Sequence, residues 1–318
     1  MTEQKRPRTL PLGVAIALTV FIGVLTAVQA RINGQLGAAL GDGFVAASIS
    51  FGSGLVLIVV ITALSPSGRA GLVRLRRGLR GGIPFWMLLG GLAGAVTVAT
   101  QGLTVATIGV ALFTVGLVAG QTAGGLVLDR VGYGPGGVVP VTLPRLVGGL
   151  LAIAGVVLCA LGQRGEPVVW WMLALPLIAG VGIAWQQGTN GRLRQEVGSP
   201  LATTVVNFTG GSIALGIAAV VSVAINGAPA ALPTEPWMYL GGAMGVVYIV
   251  ISAALVRRTG VLLLGLGSVV GLLAASIVLD AVAPPPSGPS LTAATTAAAV
   301  AFVGVVIAVV PWRRRRRV

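Results

Sequence analysis

Four amide side chains interrupt apolar sequence at one repeated spacing. Gln29 and Asn33 are four residues apart, and Gln186 and Asn190 recur with the same spacing further along the chain. On a continuous helix each pair shares one face. Amides both donate and accept hydrogen bonds, which suits recognition of a small polar or zwitterionic solute. Such amides also join neighbouring membrane helices, so cavity lining and interhelical bonding both remain open.

Three more amides, Gln101, Gln121 and Asn207, lie inside other apolar segments. Polar groups in such segments usually face the interior of a helix bundle or a water-filled cavity. Thr97, Thr100 and Thr104 flank Gln101 at helical spacing. A threonine hydroxyl can bond to its own helix, and we expect this for them. The amides therefore extend the candidate binding set, whereas the threonines do not.

Two aromatic residues and one arginine complete the set. Trp185 and Tyr248 could stack on a ring or a cation, although tryptophan at the end of a span is more often an interfacial anchor. Arg31 lies between Gln29 and Asn33 and could attract an anionic group, or reach the interface from the end of a span. The predicted substrate-binding residues are Gln29, Arg31, Asn33, Gln101, Gln121, Trp185, Gln186, Asn190, Asn207 and Tyr248.

Charged residues are scarce and lie at the ends of apolar segments. Asp129 is followed by Arg130, and Asp280 occupies the position equivalent to Asp129 in a repeat. We expect either gate or helix-end pairs there, or solvated charges that contribute little. The chain has no histidine and one cysteine, which removes the usual metal ligands and neutral-pH base. The sequence therefore predicts no metal, no cofactor and no enzymatic activity.

The composition is that of a membrane protein. Hydrophobic residues make up 55% of the chain and charged residues only 9%, with a mean hydropathy of +0.98. Such a chain is too apolar for a soluble globule, so its partner is the lipid bilayer. The net charge of +14 does not indicate nucleic acid, because the basic residues lie between apolar segments and at the chain ends.

Ten segments are long enough to cross a bilayer, which takes about 20 apolar residues. A short turn at Thr104–Thr107 is expected to separate the third from the fourth. The predicted spans are Leu10–Ala30, Phe44–Leu64, Ile83–Leu103, Ile108–Leu128, Leu143–Gly162, Val168–Trp185, Leu201–Ile225, Trp237–Val256, Val261–Val282 and Leu291–Val310.

The chain contains two copies of one unit. Residues 27–54 match residues 184–211 at eight of 28 positions, and residues 109–129 match 260–280 at ten of 21. The copies are assigned to residues 1–163 and 164–318. Each has five spans, an odd number, so the second copy enters the membrane upside down. Inverted repeats of this kind are typical of transporters that bind their substrate between the halves, although a structural protein could also arise by duplication.

Basic residues set the expected orientation. With the N-terminus inside, 19 of the 21 lysines and arginines fall on the inner side, and only Arg31 and Arg164 fall outside. Because cytoplasmic loops retain positive charge, both termini are expected in the cytoplasm.

The stretches QARINGQL, SFGSG and GQTAGGLVLDRVG resemble the drug/metabolite transporter superfamily, and within it the YdcZ-like membrane proteins. The resemblance implies an all-α protein of ten transmembrane helices in two inverted five-helix repeats, of the EamA type. It implies a bacterial inner-membrane permease, with spans one to four and six to nine around a central cavity and spans five and ten peripheral. The small multidrug exporters of that superfamily use a glutamate in the first span, whereas Leu10–Ala30 contains no acidic residue.

These features together predict a secondary transporter that moves a small polar metabolite or drug-like solute by alternating access. The alternatives are a non-transporting scaffold or accessory subunit and a lipid-carrier flippase. We also expect that two copies of the chain could form a homodimer.

Overall fold

The chain is described by a computed structural model. It covers residues 12–134, 137–163, 169–229 and 231–309, with the backbone alone for residues 12, 252–266 and 309. The terminal basic residues and Arg164 fall outside the described residues. The helices are α1 (Leu12–Leu40), α2 (Gly43–Leu64), α3 (Pro66–Gly81), α4 (Gly90–Arg130), α5 (Leu143–Leu161), α6 (Trp170–Val197), α7 (Pro200–Asn226), α8 (Gly241–Val282) and α9 (Leu291–Val309).

Six helical stretches of the described chain are long and apolar enough to span a membrane. Two helices are far longer than one span. At 1.5 Å per residue, α4 with 41 residues and α8 with 42 residues are each about 60 Å long. Each therefore holds two consecutive spans, and the all-α membrane fold with two repeats is confirmed.

The predicted turn at Thr104–Thr107 is wrong. The helix continues there, and the Thr104 hydroxyl donates to the Thr100 carbonyl oxygen at 2.7 Å. The break lies at Gly109, whose φ of 83° is open to glycine but strained for other residues. The third and fourth spans thus meet at a glycine kink. The expected pairing of threonine hydroxyls with their own helix is confirmed, since Thr97 and Thr100 bond in the same way.

The first and sixth spans run about three turns past their predicted ends at Ala30 and Trp185. Leu36 and Leu193, in these extensions, are fully buried, so an apolar face continues beyond the polar residues and keeps the helix packed. Both helices then stop at equivalent glycines, Gly41 and Gly198, each with φ of 65°. A left-handed glycine after the last turn is a common helix terminator.

The basic stretch after the second span forms α3, which has no helical counterpart among the described residues of the second copy. Ser65 caps its N-terminus and Gly82, with φ of 104°, ends it. Arg74 donates through Nε to the Val197 carbonyl oxygen at 2.6 Å, at the end of α6. Leu75 packs with apolar residues of α6 and α7, so α3 is a surface helix fixed to the end of the bundle.

The two repeats interlock through equivalent glycines. A β-carbon at Gly23 in α1 would lie 1.9 Å from the Ser268 carbonyl oxygen in α8. At the equivalent Gly180 in α6, a β-carbon would lie 2.2 Å from the Leu117 carbonyl oxygen in α4. The first span of each copy therefore packs directly on the fourth span of the other. The glycines serve close helix packing, as small residues do at membrane helix interfaces.

Two further pairs of equivalent helices also contact each other. Phe51 of α2 meets its repeat equivalent Phe208 of α7, with ring centroids 5.1 Å apart. Gly148 of α5 approaches Gly304 of α9, so the fifth and tenth spans pair with each other. The second and seventh spans thus lie at the centre of the interface between the halves.

Cysteine labelling tests the expected orientation. On a Cys159→Ala background, Ala228→Cys and Pro286→Cys should react with an impermeant thiol reagent added outside, because both positions are exposed in connections expected outside. Gly81→Cys should react only after permeabilisation, since this exposed position ends α3 on the inner side. Outside labelling at Gly81 would contradict the orientation. Cys159 is buried, so its replacement is expected to be mild.

Candidate functional site

The first copy brings three predicted amides to the interface with the second copy. Gln29 donates from Nε2 to the Gly241 carbonyl oxygen of α8 at 3.0 Å. Asn33, one turn on, donates from Nδ2 to Gln101 Oε1 at 2.7 Å. Asn33 and Gln101 are fully buried, whereas Gln29 keeps part of its surface exposed. The Asn33–Gln101 pair joins the first and third spans.

The second copy builds an equivalent cluster with a different centre. Asn207 of α7 accepts from Gln186 Nε2 at 3.1 Å and donates to Asn190 Oδ1 at 2.8 Å. Its Nδ2 also donates to the Thr203 carbonyl oxygen of its own helix at 2.9 Å. Asn207 is buried, while Gln186 and Asn190 are partly exposed. One asparagine thus organises the second cluster.

Glycines of the opposite copy press on both clusters. A β-carbon at Gly245 would lie 3.0 Å from Gln29 Nε2, and one at the equivalent Gly94 would lie 3.0 Å from Gln186 Nε2. A β-carbon at Gly90 would lie 2.7 Å from Asn190 Oδ1. The amides therefore stand where the two inverted halves touch, and side chains larger than hydrogen would separate those halves.

The clusters are not equivalent in hydrogen bonding. Ser50 occupies the position of Asn207 in the first copy and cannot reach as far as an asparagine. Asn33 Oδ1 and Ser50 Oγ are consequently buried with no partner among the described residues. Buried polar groups are rarely left in this state, so the first cluster offers an acceptor and a hydroxyl that the second cluster does not.

One predicted amide, Gln121, lies apart from these clusters, and two predicted aromatic residues take no part in their hydrogen bonds. Gln121 lines a separate cavity of about 140 Å³ beside Thr122 and Arg145, next to α5 and α9. Trp185 and Tyr248 are half-buried. The ring and cation contacts of the described residues involve other side chains. The structure therefore gathers the amides of spans one and three in one cluster and those of spans six and seven in another, and Gln121 belongs to neither.

One end of the bundle is closed by what we term the Asp280 cluster: Arg31, Val110, Ala111 and Asp280. The Asp280 carboxylate accepts from the backbone N–H groups of Val110 and Ala111 at 2.9 and 2.7 Å. These are the first residues after the Gly109 kink, where a helix N-terminus favours an anion. Arg31 lies 3.8 Å from Asp280 and donates to the Ala283 carbonyl oxygen at 2.9 Å. Arg31 is thus engaged with the other copy.

The opposite end is closed by the Tyr133 cluster: Trp86, Tyr133, Thr189 and Arg192. Arg192 donates to the carbonyl oxygens of Tyr133 and Gly132 at 2.6 and 3.0 Å. Its guanidinium carbon lies 5.5 and 5.7 Å from the ring centroids of Tyr133 and Trp86. The Tyr133 and Thr189 hydroxyls are 2.9 Å apart. Gly132 is the repeat equivalent of Ala283, so each copy contributes one arginine that caps the fourth span of the other.

Asp129 does not pair with Arg130, which was one of the two possibilities open for these charges. Asp129 accepts a short bond from Arg145 of α5, within the same copy, and Arg130 is exposed. Neighbours on a helix point about 100° apart, which keeps them from facing each other. Sequence reasoning also missed the Tyr133 cluster. The sequence did contain a signal. Arg192 lies two residues after the repeated Asn190, and Arg31 lies two residues before the equivalent Asn33.

The fold and this arrangement define an all-α membrane protein built from two interlocked five-span repeats around polar clusters. A sequence model of the family described as "Putative inner membrane exporter, YdcZ" matches residues 14–158 and again residues 171–310. The chain therefore belongs to this family, as its sequence motifs predict, and is a protein of the inner membrane.

Two other comparisons add no function. A solved structure titled "Crystal structure of protein" is 19% identical, covers 93% of this chain and 95% of its own, and has a TM-score of 0.49. No curated protein matches the chain.

The central role of Asn207 is testable by Asn207→Ser, which gives the second copy the residue of the first. Three hydrogen bonds depend on the Asn207 amide, so we expect the free energy of unfolding in detergent to fall by roughly 1–3 kcal/mol. Thr209→Ala, at an exposed position of the same helix, is the control and should change stability little. Equal stability of the two variants would show that the cluster does not hold α7 in place.

Proposed function

We propose that the protein is a secondary transporter that moves a small polar metabolite by alternating access. The observation that carries the proposal is the position of the amide clusters at the contact between the inverted halves. Motion of one half against the other would change the distance of Gln29 from Gly245 and of Gln186 from Gly94. A binding site at that contact opens and closes as the halves rock, which is the common arrangement of inverted-repeat transporters.

The two end clusters supply the gates in this proposal. The Asp280 cluster and the Tyr133 cluster close opposite ends of the bundle, and each joins one copy to the other. Each depends on one arginine, Arg31 or Arg192, bonded to the end of the opposite fourth span. Opening one cluster while the other stays closed would expose the amides to one side only.

The orientation and the repeat boundary belong to the same proposal. We place both termini in the cytoplasm, which puts the Tyr133 cluster inside and the Asp280 cluster outside. We place the junction of the repeats between residues 163 and 164, beside residues 164–168, which lie outside the described residues. The family supports location in the inner membrane.

The side chains favour a neutral or zwitterionic solute with several hydrogen-bonding groups. Gln29, Gln186 and Asn190 combine amide groups with partial exposure, and Asn33 Oδ1 is an acceptor without a partner among the described residues. The central clusters contain no carboxylate, so a simple organic cation would find no opposite charge there. Arg31 is held by Asp280 and Ala283, so binding an anionic group would require opening of the Asp280 cluster.

One observation favours the competing scaffold function for part of the set. Asn33 and Gln101 are fully buried and bonded to each other at 2.7 Å, as expected for residues that only join helices. The partly exposed Gln29, Gln186 and Asn190 therefore carry the proposed solute contacts, and the Asn33–Gln101 pair positions the helices.

A disulfide across the outer gate tests alternating access. The Ser287 backbone N–H donates to the Thr107 carbonyl oxygen at 3.2 Å, so cysteines at these positions should be close enough to join. In liposomes containing Thr107→Cys/Ser287→Cys on a Cys159→Ala background, oxidation should abolish solute uptake and reduction should restore it.

Each single-cysteine protein is the control and should transport under both conditions. The substrate is first found by screening polar metabolites for uptake or release above empty liposomes. No transported solute for the unmodified protein, or full transport by the oxidised double variant, would contradict the proposal.

Two matched substitutions separate solute binding from helix joining. Asn190→Ala removes a partly exposed amide and should weaken substrate affinity by roughly two- to tenfold, the equivalent of one hydrogen bond. Asn33→Ala leaves Gln101 unpaired in a buried site, so its main effect should be lower thermal stability. Affinity is measured by substrate competition in liposomes and stability by thermal unfolding. A stability loss at Asn190 with unchanged affinity would remove that residue from the site.

A further inference from the structure

An apolar groove of about 370 Å³ runs between the fourth and fifth spans, away from the amide clusters. One wall is a single face of α4, at positions spaced by three, four and seven residues: Ala123, Leu126, Val127 and Arg130. The facing wall has the same spacing in α5: Leu146, Gly149, Leu150 and Ile153. The absence of a side chain at Gly149 opens the space between the two helices.

The groove faces the lipid. Val127 is 63% exposed and Leu150 59% exposed. The fifth span is peripheral, paired with α9 on its other side. From Leu146 to Ile153 the groove extends about 10 Å along the helix axis, from the end of the bundle toward the middle of the membrane. This depth suits part of one acyl chain of one leaflet.

One end of the groove is cationic. Arg130, the charged residue of its lining, is exposed and bonds to no other described residue, because Asp129 bonds to Arg145 instead. The N-terminus of α5 at Leu143 lies at the same end, where backbone N–H groups favour anions. The adjoining cavity shares Leu126 and holds Arg145, whose Nη1 is buried with no partner among the described residues. Asp129 offsets the charge of Arg145, so Arg130 leaves one net positive charge at this end of the groove.

We propose that this groove binds one anionic phospholipid, with an acyl chain between α4 and α5 and the phosphate at Arg130. An acyl chain fills an apolar, lipid-facing groove without loss of hydrogen bonds, and a phosphate matches the guanidinium groups at headgroup depth. Basic pockets between membrane helices are known anionic-lipid sites. The bound lipid holds the peripheral fifth span against the transporter core. The proposal does not depend on the identity of the transported solute.

Filling the groove tests the acyl-chain part. Gly149→Leu places an isobutyl group in the groove, where a β-carbon would meet the flexible end of Leu126 at 3.1 Å and Thr122 Cγ2 at 3.9 Å. The matched control is Gly216→Leu on α7, where a β-carbon would have no neighbour within 4 Å. Native mass spectrometry of protein extracted in mild detergent should show one retained phospholipid fewer for Gly149→Leu than for the control. Val127→Phe, which fills the groove from α4, should repeat the loss.

Removing the charge tests the headgroup part. Arg130→Gln should keep the lipid but reduce the preference for phosphatidylglycerol over phosphatidylcholine by roughly fivefold, the value of one basic residue near an anionic surface. Arg76→Gln, an exposed arginine of α3, is the control and should keep the preference of the unmodified protein. Both lipids are titrated at equal concentration into delipidated full-length protein.

Several results would overturn the proposal. Equal lipid loss in Gly149→Leu and Gly216→Leu would indicate unspecific surface lipid. Unchanged lipid retention in both groove-filling variants would indicate that no lipid is bound in the groove. A dimer that Gly149→Leu dissociates would show that a second copy covers the groove. Equal headgroup preference in Arg130→Gln and Arg76→Gln would remove Arg130 from the site. None of these results bears on solute uptake in liposomes, which tests the proposed function separately.

Discussion

Close backbone contact between the two repeats is the constraint on which the rest of the structure depends. At Gly23 and Gly180 the helix of one copy lies so near a carbonyl of the other that any β-carbon would clash. These contacts set the distance between halves, and that distance brings Gln29 to Gly241 and Asn190 to Gly90. Because apolar helices gain little from hydrophobic burial in lipid, such close packing and the interhelical amide bonds must supply much of the association. The glycines and the amides are therefore parts of one interface.

Repetition made much of this interface predictable. Equivalent spans of the two copies pack in the same way, so the residues at their contacts recur at the same spacing in both copies. The sequence alone therefore identifies Gln29/Asn33 and Gln186/Asn190. Contacts between different helices were not predictable in the same way. Asp129 is bonded to Arg145 rather than Arg130, because the partner depends on how α5 docks. Tyr133 reaches Arg192 from a connection whose path the sequence pattern does not specify. The Gly109 kink was misplaced because a glycine among many packing glycines carries no distinct signal.

The two copies carry some of their amide side chains at different positions. The second copy has Asn207 where the first has Ser50, and the first has Gln101 where the second has Ser252. Asn33 consequently donates to Gln101 and keeps an acceptor unused among the described residues, whereas Asn190 uses its acceptor on Asn207. Duplication alone would produce two identical clusters. The divergence makes the two amide clusters chemically different, which would allow a solute to be bound in one orientation.

In the proposed transport cycle the end clusters must also be weak enough to open. Alternating access requires states separated by a few kcal/mol, since a larger difference leaves one of them unpopulated. Hydrogen bonds to charged groups contribute about 1.5–3 kcal/mol each net, so opening a whole cluster at once would be costly. The arrangement reduces that difference, because each cluster uses one arginine on equivalent backbone positions, Ala283 for Arg31 and Gly132 for Arg192. Both clusters are formed in this structure, so in the proposed cycle either open state loses the contacts of one arginine while the other cluster stays closed. A solute that bonds the central amides in both states then needs only a modest preference to complete the exchange.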